Sequence, residues 1–423
     1  MLALTRSVAV AGRQLFVPEL DVFRGVAAIF MVVNHAGFRL WSADDTHVGW
    51  RAAVLFISSY APALFFFATG LGIGLRAERS STVMRDTLFK AGLLVLADQL
   101  SYWRNGVWAG FDFFSFIALS MLIITALSVT DRPARWAAGL FVGVVALRFG
   151  LGPVLHSALP TTGWVQLLVG VYGQSNVSYP MSPWLCIPLA GFLLGHAARH
   201  RMRSSDQRAI AQPVIEGWLS AAPAWLVAAA AVLIGAIAAA LLNAVGASFH
   251  RWGTVGIGFF ALSLAVLGSS WLLSLAMARW MPRAAAVVSL RGVAAFLVVP
   301  LHYGALEALS RLGWSELASS LFVPTAVILC AAALGAARFG ERWALRWSRI
   351  EGVAMPIAVC IVAAISIVAV FVSMVRGNSG WTFSAATLAQ LLVAYGLGKR
   401  LVDKAPQALA AAASKTHLGR TAP

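Results

Sequence analysis

Two histidines in this sequence each follow an arginine at the same spacing, within two similar apolar stretches. Arg24 precedes His35 in RGVAAIFMVVNHAG, and Arg291 precedes His302 in RGVAAFLVVPLHYG. A neutral imidazole can accept a proton near pH 7, and a guanidinium binds anions such as phosphate. The pattern therefore predicts a proton-transfer group at each histidine and an anion-binding group at each arginine.

Helix geometry separates the two members of each pair. Eleven steps of about 1.5 Å place Arg24 and His35 about 16 Å apart along a helix, so their side chains do not touch. If both stretches cross a membrane in the same direction, His35 and His302 reach a similar depth and can converge on one cavity. The alternatives are an arginine that extends to lipid headgroups and a histidine bonded within a helical bundle. An ancient duplication or a chance likeness of two alanine- and valine-rich helices would explain the shared pattern.

Further polar residues near His35 are candidates for the same chemistry. Asn34 directly precedes it, at a membrane depth where polar side chains are costly and usually functional. The loop SADDTHVGWR places His47 beside Asp44 and Asp45, and a histidine next to carboxylates can act as a general base. A solvated loop without a catalytic role is the alternative for His47.

The composition is that of a helical membrane protein. Of the 423 residues, 60% are hydrophobic and only 11% are charged, and the mean hydropathy is +0.80. Soluble domains carry about 25% charged residues, so a soluble, disordered or fibrous chain is excluded. The net charge of +16 does not indicate nucleic-acid binding, because the basic residues lie in short clusters between apolar runs. We therefore predict an all-α, polytopic integral membrane protein.

A bilayer core needs about 20 apolar residues per helix, which predicts about twelve spans, with ten or eleven also compatible. The spans lie near residues 20–41, 52–75, 88–103, 111–130, 135–155, 182–198, 222–244, 254–277, 286–306, 318–337, 354–375 and 382–399. Most lysines and arginines fall on one side when the N-terminus is placed inside, which predicts that both termini are cytoplasmic.

The same reading divides the chain into three parts. We expect a cytoplasmic tail over residues 1–18, a single transmembrane domain over 19–400, and a disordered cytoplasmic tail over 401–423. The three cysteines lie in apolar runs without metal or disulfide spacing, so no metal site is predicted. The alanine- and arginine-rich composition suggests a GC-rich bacterial genome and hence the bacterial cytoplasmic (inner) membrane.

Small residues in the second span predict close helix packing. LFFFATGLGIGLR contains Ala68, Gly70, Gly72 and Gly74, which allow a neighbouring helix or a ligand to approach the backbone. Packing between helices is the favoured explanation. A phosphate-binding loop is excluded, because no lysine and serine follow and the segment lies inside a span.

The stretches around these motifs resemble membrane-bound acyltransferases. LDVFRGVAAIFMVVNH, followed by a loop and APALFFFATGLGIGLR, is similar to the opening of the acyltransferase-3 family, with Thr69 where a serine is usual. The loop THVGW resembles the His-x-x-Trp loop of heparan-α-glucosaminide N-acetyltransferase-like proteins, which carries their proposed catalytic histidine. PMSPWLCIPLAGFLLG and LRGVAAFLVVPLH resemble later segments of bacterial relatives, with Pro300 a departure. The likeness covers roughly residues 19–305.

This resemblance implies an enzyme that moves an acyl group, acetyl as the first choice, from cytoplasmic acyl-CoA to a sugar hydroxyl or an amino sugar near the outer side. The co-substrate would be acetyl-CoA or another acyl-CoA, and the acceptor a carbohydrate or glycolipid among the membrane lipids. A monomer and a homodimer are both compatible with it. The catalytic candidates are His35, His302, His47 and Asn34, and the candidates for binding the CoA phosphates are Arg24, Arg291 and Arg76.

A transporter or flippase for an amphipathic or glycolipid solute is the alternative function. Twelve spans with both termini inside and an internal likeness between two helices suit that class. Against it, carboxylates within the spans are few for a proton-coupled carrier, and no pair of broken helices stands in corresponding halves. Stabilisation by acetyl-CoA would favour the enzyme.

Overall fold

The chain is helical throughout the part that the structure describes. The computed structural model describes residues 18–41, 49–75, 81–104, 107–158, 163–169, 176–206, 222–244, 256–314, 319–347, 354–377 and 379–396. These residues are 89% helical and include no β-strand. The prediction of an all-α fold is confirmed. Except for Pro18, the two expected tails lie outside the described residues.

Several helices begin at a proline, whose missing N–H group costs nothing in the first turn. In chain order the helices are α1 (Pro18–Leu40), α2 (Gly49–Ser58), α3 (Ala61–Gly74), α4 (Ser81–Arg104), α5 (Phe113–Ser128), α6 (Pro133–Ala146), α7 (Gly152–Ala158), α8 (Gly163–Val169), α9 (Met181–Trp184), α10 (Cys186–Asp206), α11 (Ala222–Ala244), α12 (Ile257–Trp280), α13 (Pro282–Val288), α14 (Gly292–Arg311), α15 (Ser319–Trp347), α16 (Ala354–Val375) and α17 (Ser379–Gly396). A π-helical segment, Leu147–Leu151, joins α6 to α7.

Where the structure describes them, the predicted spans are mostly helical, although 52–75 covers both α2 and α3, and 286–306 covers the end of α13 and most of α14. The described chain contains seven helical stretches long and apolar enough to cross a membrane. These are Pro18–Leu40, Gly49–Gly74, Pro133–Leu155, Met181–His200, Ala224–Ala244, Ile257–Trp280 and Leu321–Arg342. Phe113–Ser128, Ile361–Val375 and Phe383–Val393 are shorter apolar stretches. The chain is therefore an integral membrane protein, whereas the total of twelve spans and the cytoplasmic termini stay predictions.

The apolar side chains of α11 show why such a helix belongs in a membrane. Four of them are at least half exposed, namely Leu226, Leu233, Ile237 and Leu241. Soluble proteins rarely expose an apolar surface of this extent to water. Lipid tails can cover these side chains without a cost in hydrophobic free energy.

Contacts divide the chain into two compact units. The first comprises Met1–Ala27, Ser59–Val83 and Ser120–Ser289, and the second comprises Ala28–Ser58, Met84–Leu119 and Leu290–Pro423. The chain of α1 therefore contributes its first part, with Arg24, to the first unit and its second part, with His35, to the second. The single domain expected over residues 19–400 stays a prediction.

Close packing of α3 against α10 characterises the first unit. A Cβ atom on Gly70 would overlap the carbonyl group of Pro188, and one on Gly74 would overlap that of Phe192. The two backbones approach each other at these glycines, as the small residues of α3 predicted.

In the second unit α14 packs against α17 and α15. A Cβ atom on Gly304 of α14 would lie 3.4 Å from Cγ2 of Thr387 on α17. In turn, α17 is tied to α4, because Nε2 of Gln390 donates a hydrogen bond of 2.8 Å to the carbonyl of Ala97. These contacts hold α14, the helix that carries His302.

Candidate active site

His35 of α1 and His302 of α14 meet within the second unit. Nδ1 of His35 lies 2.8 Å from Nε2 of His302. The ring centroids are 5.1 Å apart and the ring planes differ by 9°. That centroid distance nearly equals the nitrogen–nitrogen distance plus the two ring radii, so the imidazoles lie edge to edge in one plane. This is the geometry of an in-line hydrogen bond rather than of face-to-face stacking.

A backbone carbonyl assigns the direction of this hydrogen bond. Nδ1 of His302 lies 2.8 Å from the carbonyl oxygen of Val298, and a carbonyl oxygen can only accept. His302 therefore donates through Nδ1, and its Nε2 in the neutral ring must accept. It follows that Nδ1 of His35 is the donor to His302, and that Nε2 of neutral His35 is an acceptor. The tautomers of both rings are thus assigned from the network.

Tyr303 completes the chain of hydrogen bonds. Its hydroxyl group lies 3.3 Å from Nε2 of His35 and is the donor, because that nitrogen accepts. The Tyr303 ring also packs on both imidazoles, with centroid distances of 4.8 Å to His35 and 4.4 Å to His302. The bonds run in one direction, from Tyr303 through His35 and His302 to the carbonyl of Val298.

Burial distinguishes the two histidines. His302 is only 1% exposed, whereas His35 and Tyr303 are half-buried. Of the three side chains, His35 and Tyr303 are therefore more accessible to a substrate than His302. The arrangement suits His35 to exchange protons with a substrate, and it suits His302 to orient His35.

Asn34 ties the neighbouring turn of α1 to the end of α2. Its Nδ2 group donates to the carbonyl of Leu55 at 3.0 Å and to Oγ of Ser58 at 3.1 Å. The Ser58 hydroxyl also donates to the carbonyl of Leu55 at 3.2 Å. Carbonyl groups in the last turn of a helix lack helical donors, so Asn34 stabilises the point where α2 ends. Because Asn34 adjoins His35, this network also holds α1 in the orientation that the histidine requires.

Arg24 lies in the first unit beside an acidic partner. Its Nη1 donates a hydrogen bond of 2.7 Å to Oδ1 of Asp21, and their side chains are 20% and 8% exposed. A Cβ atom on Gly72 of α3 would lie 3.3 Å from Nη2 of Arg24, so glycine leaves room for the guanidinium. Since that group has five N–H donors, the bond to Asp21 does not exclude a second anion.

One of the remaining candidates, Arg291, is a described residue. Arg291 is exposed and immediately precedes the first residue of α14. His47 and Arg76 lie outside the described residues, so their predicted roles stay predictions. Among the described residues, no three His, Cys, Asp or Glu side chains form a group that could bind a metal ion.

Four contributors to the site were not expected from the sequence, and one of them is the carbonyl group of Val298. Tyr303 directly follows His302 in PLHYG, and this adjacency was the available signal. Ser58 is a polar residue within an apolar run, which is a weaker signal. Leu55 contributes only its carbonyl group, which every residue has, so its sequence identity could not reveal this role.

A known family model matches the first half of the chain. Residues 17–222 match the family model described as "Heparan-alpha-glucosaminide N-acetyltransferase, catalytic". The match contains Arg24, Asn34 and His35, whereas His302 and Tyr303 lie beyond it. No curated protein and no solved structure matches the chain.

Proposed function

Because this chain belongs, through residues 17–222, to the heparan-alpha-glucosaminide N-acetyltransferase-like family, we propose that it transfers an acetyl group from cytoplasmic acetyl-CoA to a sugar. The family consists of acetyltransferases, and the apolar helices place the protein in a membrane. The proposed acceptor is a sugar hydroxyl or an amino sugar at the outer side, and the proposed membrane is the bacterial cytoplasmic membrane.

The observation that carries this proposal is the directed hydrogen bond between His35 and His302. Acetyl transfer from a thioester needs a group that removes the proton of the attacking hydroxyl or amine. Nε2 of His35 is an acceptor in the assigned tautomer, and His35 is the more exposed histidine of the pair. His35 is therefore the proposed general base, with His302 as the residue that positions it. A similar logic underlies catalytic triads, in which a third group holds the base in the correct tautomer.

The reaction proceeds in two steps. The acceptor oxygen or nitrogen attacks the thioester carbon while its proton moves to Nε2 of His35, and the carbonyl π electrons move to the carbonyl oxygen. The tetrahedral intermediate then collapses, the carbon–sulfur bond breaks, and the CoA thiolate takes the proton from Nε2. The products are the acetylated sugar and free CoA. During the first step the positive charge on His35 is stabilised by its Nδ1–H bond to His302.

Arg24 is the first of the proposed residues that bind the CoA phosphates. Its guanidinium carries further N–H groups beyond the one bonded to Asp21, and guanidinium groups bind phosphate well. Arg291 and Arg76 are the other proposed phosphate-binding residues.

The test is acetyl transfer by purified protein in proteoliposomes. Radiolabelled acetyl-CoA is supplied with glucosamine as an amine acceptor or glucose as a hydroxyl acceptor. Product is identified by mass, and free CoA is measured with a thiol reagent. Removing a general base costs about 10²–10⁴-fold in rate, so His35→Gln is expected to lose activity by that factor. His200→Gln is the matched control, because His200 is an exposed histidine on α10.

Two outcomes would contradict the proposal. One is a His35→Gln variant with the activity of the wild type. The other is a wild-type protein that neither releases CoA nor gains thermal stability from acetyl-CoA, since a ligand that binds the folded state must stabilise it. Stabilisation by an amphipathic solute instead would favour the transporter.

A further inference from the structure

We propose that Tyr303 is a second catalytic residue, whose hydroxyl donates a hydrogen bond to the thioester carbonyl oxygen as negative charge develops on it. This inference rests on the proposed acetyl transfer and assigns the group that stabilises its tetrahedral intermediate. The juxtaposition that supports it is the Tyr303 hydroxyl, a donor, 3.3 Å from Nε2 of His35, an acceptor.

Acyl transfer requires a proton acceptor and a hydrogen-bond donor close together, beside the carbon that is attacked. The attacking oxygen must give up a proton, so it needs an acceptor, whereas the carbonyl oxygen becomes negative, so it needs a donor. Both atoms are bonded to the same carbon in the intermediate, so the two protein groups must also be neighbours. Tyr303 and His35 are such neighbours, and both are more exposed than His302.

The resting contact between them can be exchanged for substrate at little cost. At 3.3 Å it is longer than the usual O–H hydrogen bond. The Tyr303 hydroxyl therefore occupies the position of the attacking group at Nε2 until substrate arrives. When substrate binds, the acceptor replaces the phenol at His35, and the phenol turns its hydrogen to the carbonyl oxygen.

Packing holds the phenol where this exchange can occur. The Tyr303 ring lies against both imidazoles, with centroid distances of 4.8 Å and 4.4 Å. Phenylalanine would make the same ring contacts without the hydroxyl, so packing alone does not require tyrosine. A side chain with few rotatable bonds, packed against two rings, is a preorganised donor, and preorganisation makes such donors effective.

The step is balanced without any further reactant. The carbon–oxygen π electrons become a lone pair on the carbonyl oxygen, and the Tyr303 hydrogen bonds to that lone pair without leaving the phenol. On collapse, the lone pair re-forms the double bond, the carbon–sulfur bond breaks, and the proton held by His35 goes to the thiolate.

The decisive experiment compares Tyr303→Phe with wild type in the acetyl-transfer assay. Loss of one oxyanion donor costs about 10²–10³-fold in kcat, and we expect that loss with the KM for acetyl-CoA changed by less than about threefold. Tyr102→Phe, a half-buried tyrosine on α4, is the matched control and should retain wild-type activity. Thermal unfolding with and without CoA verifies that each variant folds and binds nucleotide.

An inhibitor distinguishes the proposed role from an effect on His35. The trifluoromethyl ketone analogue of acetyl-CoA forms a tetrahedral hydrate that resembles the intermediate. If Tyr303 bonds the oxyanion, inhibition by this analogue weakens in Tyr303→Phe by about the factor lost in kcat/KM, while inhibition by CoA does not change. Unchanged inhibition by the ketone together with a lower kcat would overturn the assignment, because the hydroxyl would then act on His35 alone.

The failure of this inference is separable from failure of the proposed function. If Tyr303→Phe is fully active while His35→Gln is inactive, Tyr303 has no catalytic role and the acetyltransferase proposal stands. If the wild type transfers no acetyl group to either sugar and releases no CoA, both proposals fall.

Discussion

Replacing His302 tests the direction of the hydrogen-bond chain most directly. His302→Ala removes the acceptor that lies 2.8 Å from Nδ1 of His35. The Nδ1–H group of His35 then loses its acceptor, and it does so in a buried place, because His302 is only 1% exposed. His35 can also adopt the other tautomer, in which Nε2 carries the hydrogen and cannot act as a base.

The structure sets the size of the expected effect. Hydrogen bonds to charged groups contribute about 1.5–3 kcal/mol, and the bond to His302 stabilises His35 when it carries the transferred proton. At about 1.36 kcal/mol for each factor of ten in rate, His302→Ala should lower kcat/KM by about 10- to 150-fold. This range extends only to the lower end of the 10²–10⁴-fold loss expected when the base itself is removed.

The assay is the acetyl transfer described above, with three variants beside the wild type. His302→Gln should recover part of the activity, because its side-chain oxygen can accept from Nδ1 of His35. In the double variant, His35→Ala with His302→Ala, activity should equal that of His35→Ala alone. Groups that act as a unit give such non-additive losses.

Two results would refute this reasoning. If His302→Ala is less active than His35→Ala, then His302 is the base and the assigned direction is reversed. If the two losses multiply in the double variant, the histidines act independently and the hydrogen bond between them has no catalytic role. Thermal unfolding of each variant is the control for folding.

The remaining predictions concern the supporting contacts. Asn34→Leu loses two hydrogen bonds to the end of α2, so the free energy of unfolding should fall by about 1–3 kcal/mol. The midpoint of thermal unfolding should therefore be lower, and an unchanged midpoint would contradict this prediction. Gly70→Ala should fail to fold or unfold far more easily, because its Cβ atom overlaps the Pro188 carbonyl, whereas Gly92→Ala, with open space around it, should behave as wild type. Arg24→Gln should raise the KM for acetyl-CoA about tenfold, the value of a charge-assisted hydrogen bond. It should not change the KM for S-acetylpantetheine, which lacks the nucleotide phosphates; equal effects on both donors would exclude phosphate binding by Arg24.

Local patterns predicted the helices well. The apolar runs of about span length are mostly helical where the structure describes them, although 52–75 and 286–306 each cover parts of two helices. Helix formation depends on hydrogen bonds between residues four apart, and the hydropathy of a run reports its environment directly. The close approach at Gly70 was also foreseeable, since only small residues allow two backbones to meet. The family assignment followed from the same stretches, Arg24 to His35 and the glycine-rich helix after them.

Contacts between residues far apart in the sequence were harder to predict. The shared spacing after arginine predicted that His35 and His302 reach one depth, and the structure brings them into contact across 267 positions. The sequence could not specify which nitrogen faces which, or that Tyr303 faces the same atom. Those relations depend on the rotation of α1 and α14 about their axes, which the packing of the second unit determines.

The sequence by itself determined the class of protein, its helices, its family and the residue types that can do chemistry. The tertiary structure alone decided how those residues are hydrogen-bonded to one another. The carbonyl of Val298 makes His302 a donor at Nδ1 and thereby makes Nε2 of His35 an acceptor. Every residue has a backbone carbonyl, so the sequence does not show which carbonyl accepts a hydrogen bond from an imidazole. That partner is determined only by the fold.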